Sequence, residues 1–440
     1  LVIKTLQNEQ SPQIPKTIRI MMSKQKVFFK TFGCRTNLYD TQVMRENLSD
    51  FECTQSEQEA QIVVVNSCTV TNGADSRVRN YIRKAHNDGK RVIFAGCGVK
   101  TQGRALFENH LVSGVLGHSH KENLNRALLL NERFFYEDRL EERHLDSTII
   151  SEFVGKSRAF IKIQEGCDFA CSYCIIPSVR GAARSYDMRQ IIKQVEILVE
   201  KGVLEIVLTG TNVGSYGRDK KSSITALLRE LFRIKQLKRI RIGSLEPSQI
   251  DEEFFTLLGH EKLEKHLHIA LQYTQNEILA KMNRINRVES DFLLLERIAK
   301  LGYAIGTDFI VGHPGESEQI WQEALENAKY LPLTHIHPFV YSVRDGTPSA
   351  LMSPKVRGDE AKQRLHALSE CIKAKNLAFR QAHKAQNKPL WILLEKQIGD
   401  CYYGLDEFFN KIVIESNARL PQWFCLEKYE VQEDMNYAKI

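Results

Sequence analysis

The stretch Glu165-Gly-Cys-Asp-Phe-Ala-Cys-Ser-Tyr-Cys-Ile-Ile-Pro177 decides how this 440-residue chain is read. It sets Cys167, Cys171 and Cys174 four and then three positions apart. Three thiolates at that spacing can hold three irons of a cubane cluster. Iron–sulfur clusters normally take four cysteine thiolates, and no fourth follows at close spacing, so one iron is left open. In a catalytic metal site the open coordination position is where the chemistry happens. A structural zinc knuckle is the competing reading. Zinc sites, however, pair Cys-x2-4-Cys with a second Cys or His pair, and none lies nearby in the sequence.

Working outward, the cysteine loop directly follows an apolar run, Ala159–Gln164, the first of six strand candidates between residue 151 and about residue 350. The others are Glu205–Thr209, Arg239–Gly243, Leu267–Leu271, Ala304–Val311 and His335–Tyr341, each followed by a helical pattern. Repeated βα units of this kind predict a partial (β/α)6 barrel whose active site lies at the C-terminal strand ends. The cysteines therefore stand where that architecture does its chemistry.

Residues 22–136 alternate short apolar strands with polar helical patterns, which predicts a flavodoxin-like parallel α/β sheet. The candidate strands are Lys26–Phe32, Gln61–Val65, Arg91–Ala95 and Gly114–Leu116. Three of them run into a cysteine, in Thr31-Phe-Gly-Cys34, Asn66-Ser-Cys68 and Ala95-Gly-Cys97-Gly98. Ligands of open α/β sheets bind at that edge, so Cys34, Cys68 and Cys97 form a candidate second metal site. The plainer alternative is three small buried residues at sheet ends, since free cysteine behaves as a small hydrophobe.

Ten cysteines without a secretory signal argue for metal binding in a reducing, cytoplasmic setting, not for a disulfide framework. No apolar run approaches the roughly 20 residues that span a membrane. A net charge of +7 favours an anionic partner such as nucleic acid. Met22 is a candidate start, with residues 1–21 a tail or an extension outside the native chain. The charged stretch Glu137–Asp146 reads as a linker. Residues 355–386 read as a long basic helix or helix pair (Lys355, Arg357, Lys362, Arg364, Lys373, Lys375, Arg380 and Lys384), either a solvated face or a phosphate-binding one. It extends the central unit to 151–386. Strand-like runs at Leu390–Glu395 and Lys411–Glu415 suggest a small β-barrel over 387–440. Cys53, Cys371, Cys401 and Cys425 have no placement that marks them as ligands.

The chain resembles the methylthiotransferases of the radical S-adenosylmethionine superfamily. The resemblance rests on Thr31-Phe-Gly-Cys-Arg-Thr-Asn37, Asn66-Ser-Cys-Thr-Val-Thr71, Gly96-Cys97, and Gly166–Arg184 with its Arg180-Gly-Ala-Ala-Arg184. Leu208-Thr-Gly-Thr-Asn212, Ser244-Leu-Glu-Pro247, Asp308-Phe-Ile-Val-Gly-His-Pro-Gly-Glu316 and Phe339-Val-Tyr-Ser-Val-Arg-Asp-Gly-Thr347 add to it. It implies that Cys167, Cys171 and Cys174 hold a radical-generating [4Fe-4S] cluster that chelates S-adenosylmethionine. Cys34, Cys68 and Cys97 would hold an auxiliary [4Fe-4S] cluster that carries the sulfur to be inserted. One S-adenosylmethionine methylates that sulfur, and a second yields the 5′-deoxyadenosyl radical. Tyr173, Gly210, Asn212, Glu246 and Gly312, at strand ends of the barrel, are the expected cofactor contacts, and Arg344 is a candidate substrate or cofactor contact. A small reductant or an electron-donor protein is implied as well.

Members of the family modify threonylcarbamoyl-adenosine in tRNA, isopentenyl-adenosine in tRNA, or an aspartate of a ribosomal protein. Gly33-Cys-Arg-Thr-Asn-Leu-Tyr-Asp-Thr41 resembles the first type, with a basic residue after the cysteine and Tyr before the acid. The expected reaction is therefore addition of a methylthio group to C2 of N6-threonylcarbamoyladenosine beside the tRNA anticodon. The other two substrates follow in that order. Two departures stand out. Leu271-Gln-Tyr-Thr-Gln275 replaces the family's Gln-Ser-Gly-Ser run, and Pro389–Ile440 carries five Lys and Arg against nine Asp and Glu, where the family has a small RNA-binding (TRAM-like) barrel.

Overall fold

A computed structural model describes residues 24–138, 145–153 and 157–440. Met22, the residues before it and most of the stretch after Asp138 lie outside them. The N-terminal unit is built on β1 (Lys26–Thr31), β2 (Glu52–Thr54), β3 (Ile62–Ser67), β4 (Arg91–Gly96), β5 (Gly114–Leu116) and β6 (Phe134–Tyr136). All pairings are parallel, in the order β2-β1-β3-β4-β5-β6. The Ile-Val-Val-Val run of β3 is buried along its length, as a parallel strand covered on both faces demands. The first five strands follow the flavodoxin order, whose switch point falls between β1 and β3. Cys34 follows β1, Cys68 follows β3 and Cys97 follows β4. Edge strands β2 and β6 were not expected from the sequence. Cys53 lies on β2 and packs against the core.

The central unit contains β7 (Ala159–Glu165), β8 (Arg184–Ser185), β9 (Glu205–Gly210), β10 (Arg239–Ile242), β11 (His266–His268), β12 (Ala304–Val311) and β13 (His335–Val340). They form sheets ordered β10-β9-β7-β8 and β11-β12-β13, joined through the parallel bridges Ile240↔Leu263 and Leu245↔Ile269. The six expected strands run parallel around an arc that stays open between β7 and β13. The two-residue β8, antiparallel to β7, had no sequence signal. Helix Arg35–Glu46 of the N-terminal unit packs over β7 and β9.

One unbroken helix, Gly358–Ala385, leads to β14 (Leu390–Ile398), β15 (Cys401–Leu405), β16 (Lys411–Glu415), β17 (Trp423–Leu426), β18 (Glu430–Val431) and β19 (Asn436–Lys439). These strands form a curled sheet ordered β17-β14-β15-β16-β19-β18, antiparallel except for β16 with β19. The sheet is a half-barrel with free edges at β17 and β18. It caps the end of the central barrel opposite the cysteine loop. There Arg239 donates to Trp391 O and Arg241 to Asp406 O, while the Phe409 ring stacks on His266 at 5.1 Å.

Most of the basic helix is not a free cationic face. Arg364 is buried against Glu316, Glu318 and Glu360, and Arg380 donates to Gln432 O and Glu433 O. Lys373 pairs with Glu433 and Asp434, and Lys375 donates to the carbonyls of Ala328, Lys329 and Leu331. Lys355, Lys362 and Lys384 remain exposed. The stretch expected as a linker is anchored where it is described. Asp138 accepts from the backbone of His118 and Ser119, both at 2.7 Å, and Asp146 is buried against Lys162 and Tyr186.

Candidate active site

The three N-terminal cysteines converge because their loops are laced together. Asn37 Nδ2 donates to Asn66 Oδ1 at 3.2 Å and to Ser67 O at 3.1 Å, and Asn66 Nδ2 returns a bond to Asn37 O at 2.8 Å. Cys97 N donates to Ser67 O at 2.8 Å, and Cys34 Sγ lies 3.3 Å from Asn37 Oδ1. Gly33, at φ 139°, leaves no room for a side chain: a Cβ there would sit 2.8 Å from Cys68 Cβ. Burial pushes the Cys68 thiol up to about 12, with Cys97 and Cys34 adding repulsion. Burial also raises Cys97, which the Arg180 guanidinium partly offsets.

The second set follows β7. Gly166, at φ 82°, turns the chain where a Cβ would strike Ala182 O at 1.9 Å, so only glycine lets the loop fold back this closely. Cys167 N donates to Gly181 O at 3.0 Å. Ser172 fixes the middle of the loop, donating to Lys281 O at 2.7 Å and sharing a 2.7 Å hydrogen bond with Ser349 Oγ. Burial raises the Cys167 thiol and pushes Cys174 up to about 12.

Cys167, Cys171 and Cys174 line a cavity of ≈ 340 Å³ together with Tyr173, Asn212 and Glu246. Val70 and Thr71, which follow Cys68, form part of its wall. Asn212 Nδ2 approaches Cys167 Sγ at 3.7 Å, and its Oδ1 accepts from Gln249 at 2.7 Å. Arg284 NH1 lies 3.8 Å from Cys171 Sγ and donates to Glu246 Oε1 at 2.8 Å.

Both sets suit a cluster better than a single ion. They are soft donors, and a metal would deprotonate the thiols outright. Sulfurs on one zinc stand roughly 3.8 Å apart at bonds of about 2.3 Å. Among the described residues, neither trio brings all three of its sulfurs within 4.8 Å of one another.

Buried charges lock the two sites together. Lys162 on β7 donates to Asp40 at 2.6 Å, Asp146 at 3.1 Å and Glu165 at 3.0 Å. Arg180 donates to Glu165 at 2.9 Å and to Asp40 at 3.1 Å. Its guanidinium is held charged, against burial, by Cys97, Asp40, Glu165 and Cys34. Thus Arg180, six residues beyond Cys174, serves the other cysteine set. At the cavity's rim Arg344 NH1 pairs with Asp75 at 2.6 Å, and its Nε donates to Val70 O at 3.2 Å.

Of the expected cofactor contacts, Tyr173, Asn212 and Glu246 line the cavity. Gly210 and Gly312 do not: Gly210 packs on β7 and Gly312 faces Ala361 of the long helix. Arg344 and Gln272 line it too. Sequence reasoning missed Arg284, Arg180 and Lys162 as site-building residues. Lys162 carried a signal, since a lysine inside the apolar run of β7 is rarely buried unless paired.

The fold and its two open cysteine sets define an enzyme of the radical S-adenosylmethionine class. The "Radical SAM superfamily" model matches residues 161–328, and "Uncharacterized protein family UPF0004" matches residues 26–117. The threonylcarbamoyladenosine tRNA methylthiotransferase MtaB of Aquifex aeolicus is 35% identical over 85% of this chain and 94% of its own. A Helicobacter pylori (strain J99) chain is 58% identical over 94% of this chain and 99% of its own; its name gives the methylthiotransferase class and no substrate. The solved radical S-adenosylmethionine methyltransferase TsrM of Kitasatospora setae shares the fold at TM-score 0.58, with 16% identity over 74% of this chain and 77% of that one. The chain belongs to the radical S-adenosylmethionine methylthiotransferase family. The cofactors of that family are S-adenosylmethionine and two [4Fe-4S] clusters.

Proposed function

We propose that this protein adds a methylthio group to C2 of N6-threonylcarbamoyladenosine beside the anticodon of tRNA. Cys34, Cys68 and Cys97 hold the auxiliary cluster, and Cys167, Cys171 and Cys174 hold the radical-generating one. One observation carries the proposal: the wall that follows Cys68 and the loop of Cys167, Cys171 and Cys174 border the same cavity. Sulfur delivery and hydrogen abstraction must meet on one base, and a shared volume allows that. Relatives named for threonylcarbamoyladenosine, at 33–35% identity in Aquifex aeolicus, Bacillus subtilis and Rickettsia prowazekii, favour this nucleoside, as does Arg35 after the first cysteine.

When bound, the clusters and S-adenosylmethionine supply the sulfur, the methyl group and the radical. The protein's share is placement. Tyr173, Asn212 and Glu246 are assigned to S-adenosylmethionine, with Glu246 held in line by Arg284. Arg180 sets a fixed cation beside Cys97 and Cys34. Phe169, Ile175, Ile310 and Phe339 give the cavity an apolar wall. We assign residues 22–136 to the auxiliary-cluster unit, 151–386 to the radical core with its helical extension, and 387–440 to the TRAM-like unit. tRNA is the macromolecular partner, an electron donor is required, and the cytoplasm, where thiols stay reduced, is the setting.

Mass spectrometry of tRNA nucleosides from cells lacking the protein tests this directly. The expected result is loss of 2-methylthio-N6-threonylcarbamoyladenosine and its return on complementation. Loss of the methylthio-isopentenyl nucleoside instead would move the assignment to that substrate. No change in either would point to a protein substrate.

A further inference from the structure

Nothing in the reaction above uses a row of imidazoles inside the barrel. β11 carries His266 and His268, β13 carries His335 and His337, and β12 runs between them with Gly306 and Asp308. The parallel register sets Gly306 beside His268 and His335, and Asp308 beside His337. Gly306 keeps the middle clear, since a Cβ there would fall 2.8 Å from His266 Nε2 and 3.0 Å from His268 Nδ1. Asp308 reaches both flanking strands: His268 Nε2 lies 3.2 Å from its Oδ2, and His337 Nδ1 lies 3.7 Å from its Oδ1.

Among the described residues, His268, Asp308 and His337 are the one group whose three ligand atoms all fall within 4.8 Å of one another. Metal bonds of about 2.0–2.2 Å to imidazole nitrogen and carboxylate oxygen put neighbouring ligands roughly 3.0–3.5 Å apart; the 3.2 Å from His268 Nε2 to Asp308 Oδ2 falls in that range, and His337 Nδ1 lies 3.7 Å from the other carboxylate oxygen. His268 Nε2 is buried, and Asp308 is the group it faces. Asp308 also lines the ≈ 340 Å³ cavity, so an ion held here would sit in the wall of the reaction chamber.

We propose that His268, Asp308 and His337 bind a divalent first-row transition-metal ion. Two imidazoles and one carboxylate supplied from adjacent strands, with further positions open, are a donor set such ions favour. This site is separate from both cysteine sets. It rests on side-chain placement alone, and does not depend on which nucleoside is modified.

Binding is tested on the reconstituted protein with both clusters oxidised, by titrating Mn2+ and following the free-ion electron paramagnetic resonance signal. Manganese favours carboxylate and water oxygen over thiolate, so it does not compete for the cluster cysteines. The expected result is uptake of one Mn2+ per chain at micromolar concentration. In His337→Ala and in Asp308→Asn that affinity should fall by about tenfold or more, with iron content and visible absorption unchanged. The His337 side chain is 53% exposed, so removing it opens no core cavity, and Asp308→Asn preserves shape. A free signal undiminished up to millimolar Mn2+, or equal uptake by both variants, would overturn the proposal.

Discussion

Replacing Lys162 with methionine probes how the N-terminal sheet is fixed on the barrel. The Nζ of Lys162 meets Asp40, Asp146 and Glu165 at 2.6, 3.1 and 3.0 Å. Lys121 and Arg180 are the other cations of the group. Three carboxylates thus face three cations, all buried, and methionine fills the volume while leaving one carboxylate uncompensated. Breaking a buried pair from one side costs about 3–5 kcal/mol, equivalent to roughly 2–4 pKa units at about 1.36 kcal/mol each. Burial raises the pKa of Asp40, Asp146 and Glu165, and the neighbouring cations more than offset it, holding all three below the usual range.

Stability from a depressed carboxylate is present above its unfolded pKa, near 4, and is lost as pH falls through the folded value. In the variant one folded value moves up by those units, so that carboxylate takes up a proton at mildly acidic pH. The deficit against the unaltered protein should therefore be about 3 kcal/mol or more at pH 8, and it should narrow by about 1.4 kcal/mol per unit once the pH drops below that raised value. Urea unfolding followed by far-ultraviolet circular dichroism between pH 8 and pH 4 measures it. Lys162→Met with Asp146→Asn should recover most of the loss, because the two residues share one interaction. A loss below about 1 kcal/mol at pH 8, a loss that widens as the pH falls, or an additive double variant would refute the argument.

Gly166→Ala places a Cβ 1.9 Å from Ala182 O and should cost the reconstituted protein roughly half its iron, measured by iron and sulfide analysis. In cluster-free protein Cys68 and Cys174, both pushed up to about 12, should be only about one part in ten thousand thiolate at pH 8. Their alkylation should then rise about tenfold per pH unit up to that value, and rates as fast as those of free cysteine at pH 8 would contradict the burial argument. Glu246→Gln removes the carboxylate that holds Arg284 beside Cys171. It should weaken S-adenosylmethionine binding about tenfold, or about 1.4 kcal/mol, by equilibrium dialysis at unchanged iron content.

Local signals in the sequence placed much of this molecule. Apolar runs of three to eight residues marked twelve strands, and the cysteines directly after four of them marked both sites. Those cues survive because strand burial and strand ends are local properties of the chain. What stayed hidden depends on long-range packing. Arg180 sits in a quoted motif, yet nothing nearby says that it crosses to Cys97 and Cys34. The cations of Gly358–Ala385 looked available for phosphate until Glu316 and Glu318 took Arg364 and Glu433 took Lys373. Gly312 fell in a motif that matches the family, but it packs on Ala361. The imidazole row was invisible because its members come from two strands, β11 and β13, far apart in the sequence and brought together only by β12 between them.

The central claim is that two cysteine sets divide the work within one cavity. Cys34→Ala separates them, because Cys34 is outside the loop that carries Cys167, Cys171 and Cys174. The variant should lose tRNA methylthiolation while still releasing 5′-deoxyadenosine from S-adenosylmethionine under reducing conditions, both read by mass spectrometry in the same reaction. Equal loss of both products would contradict it.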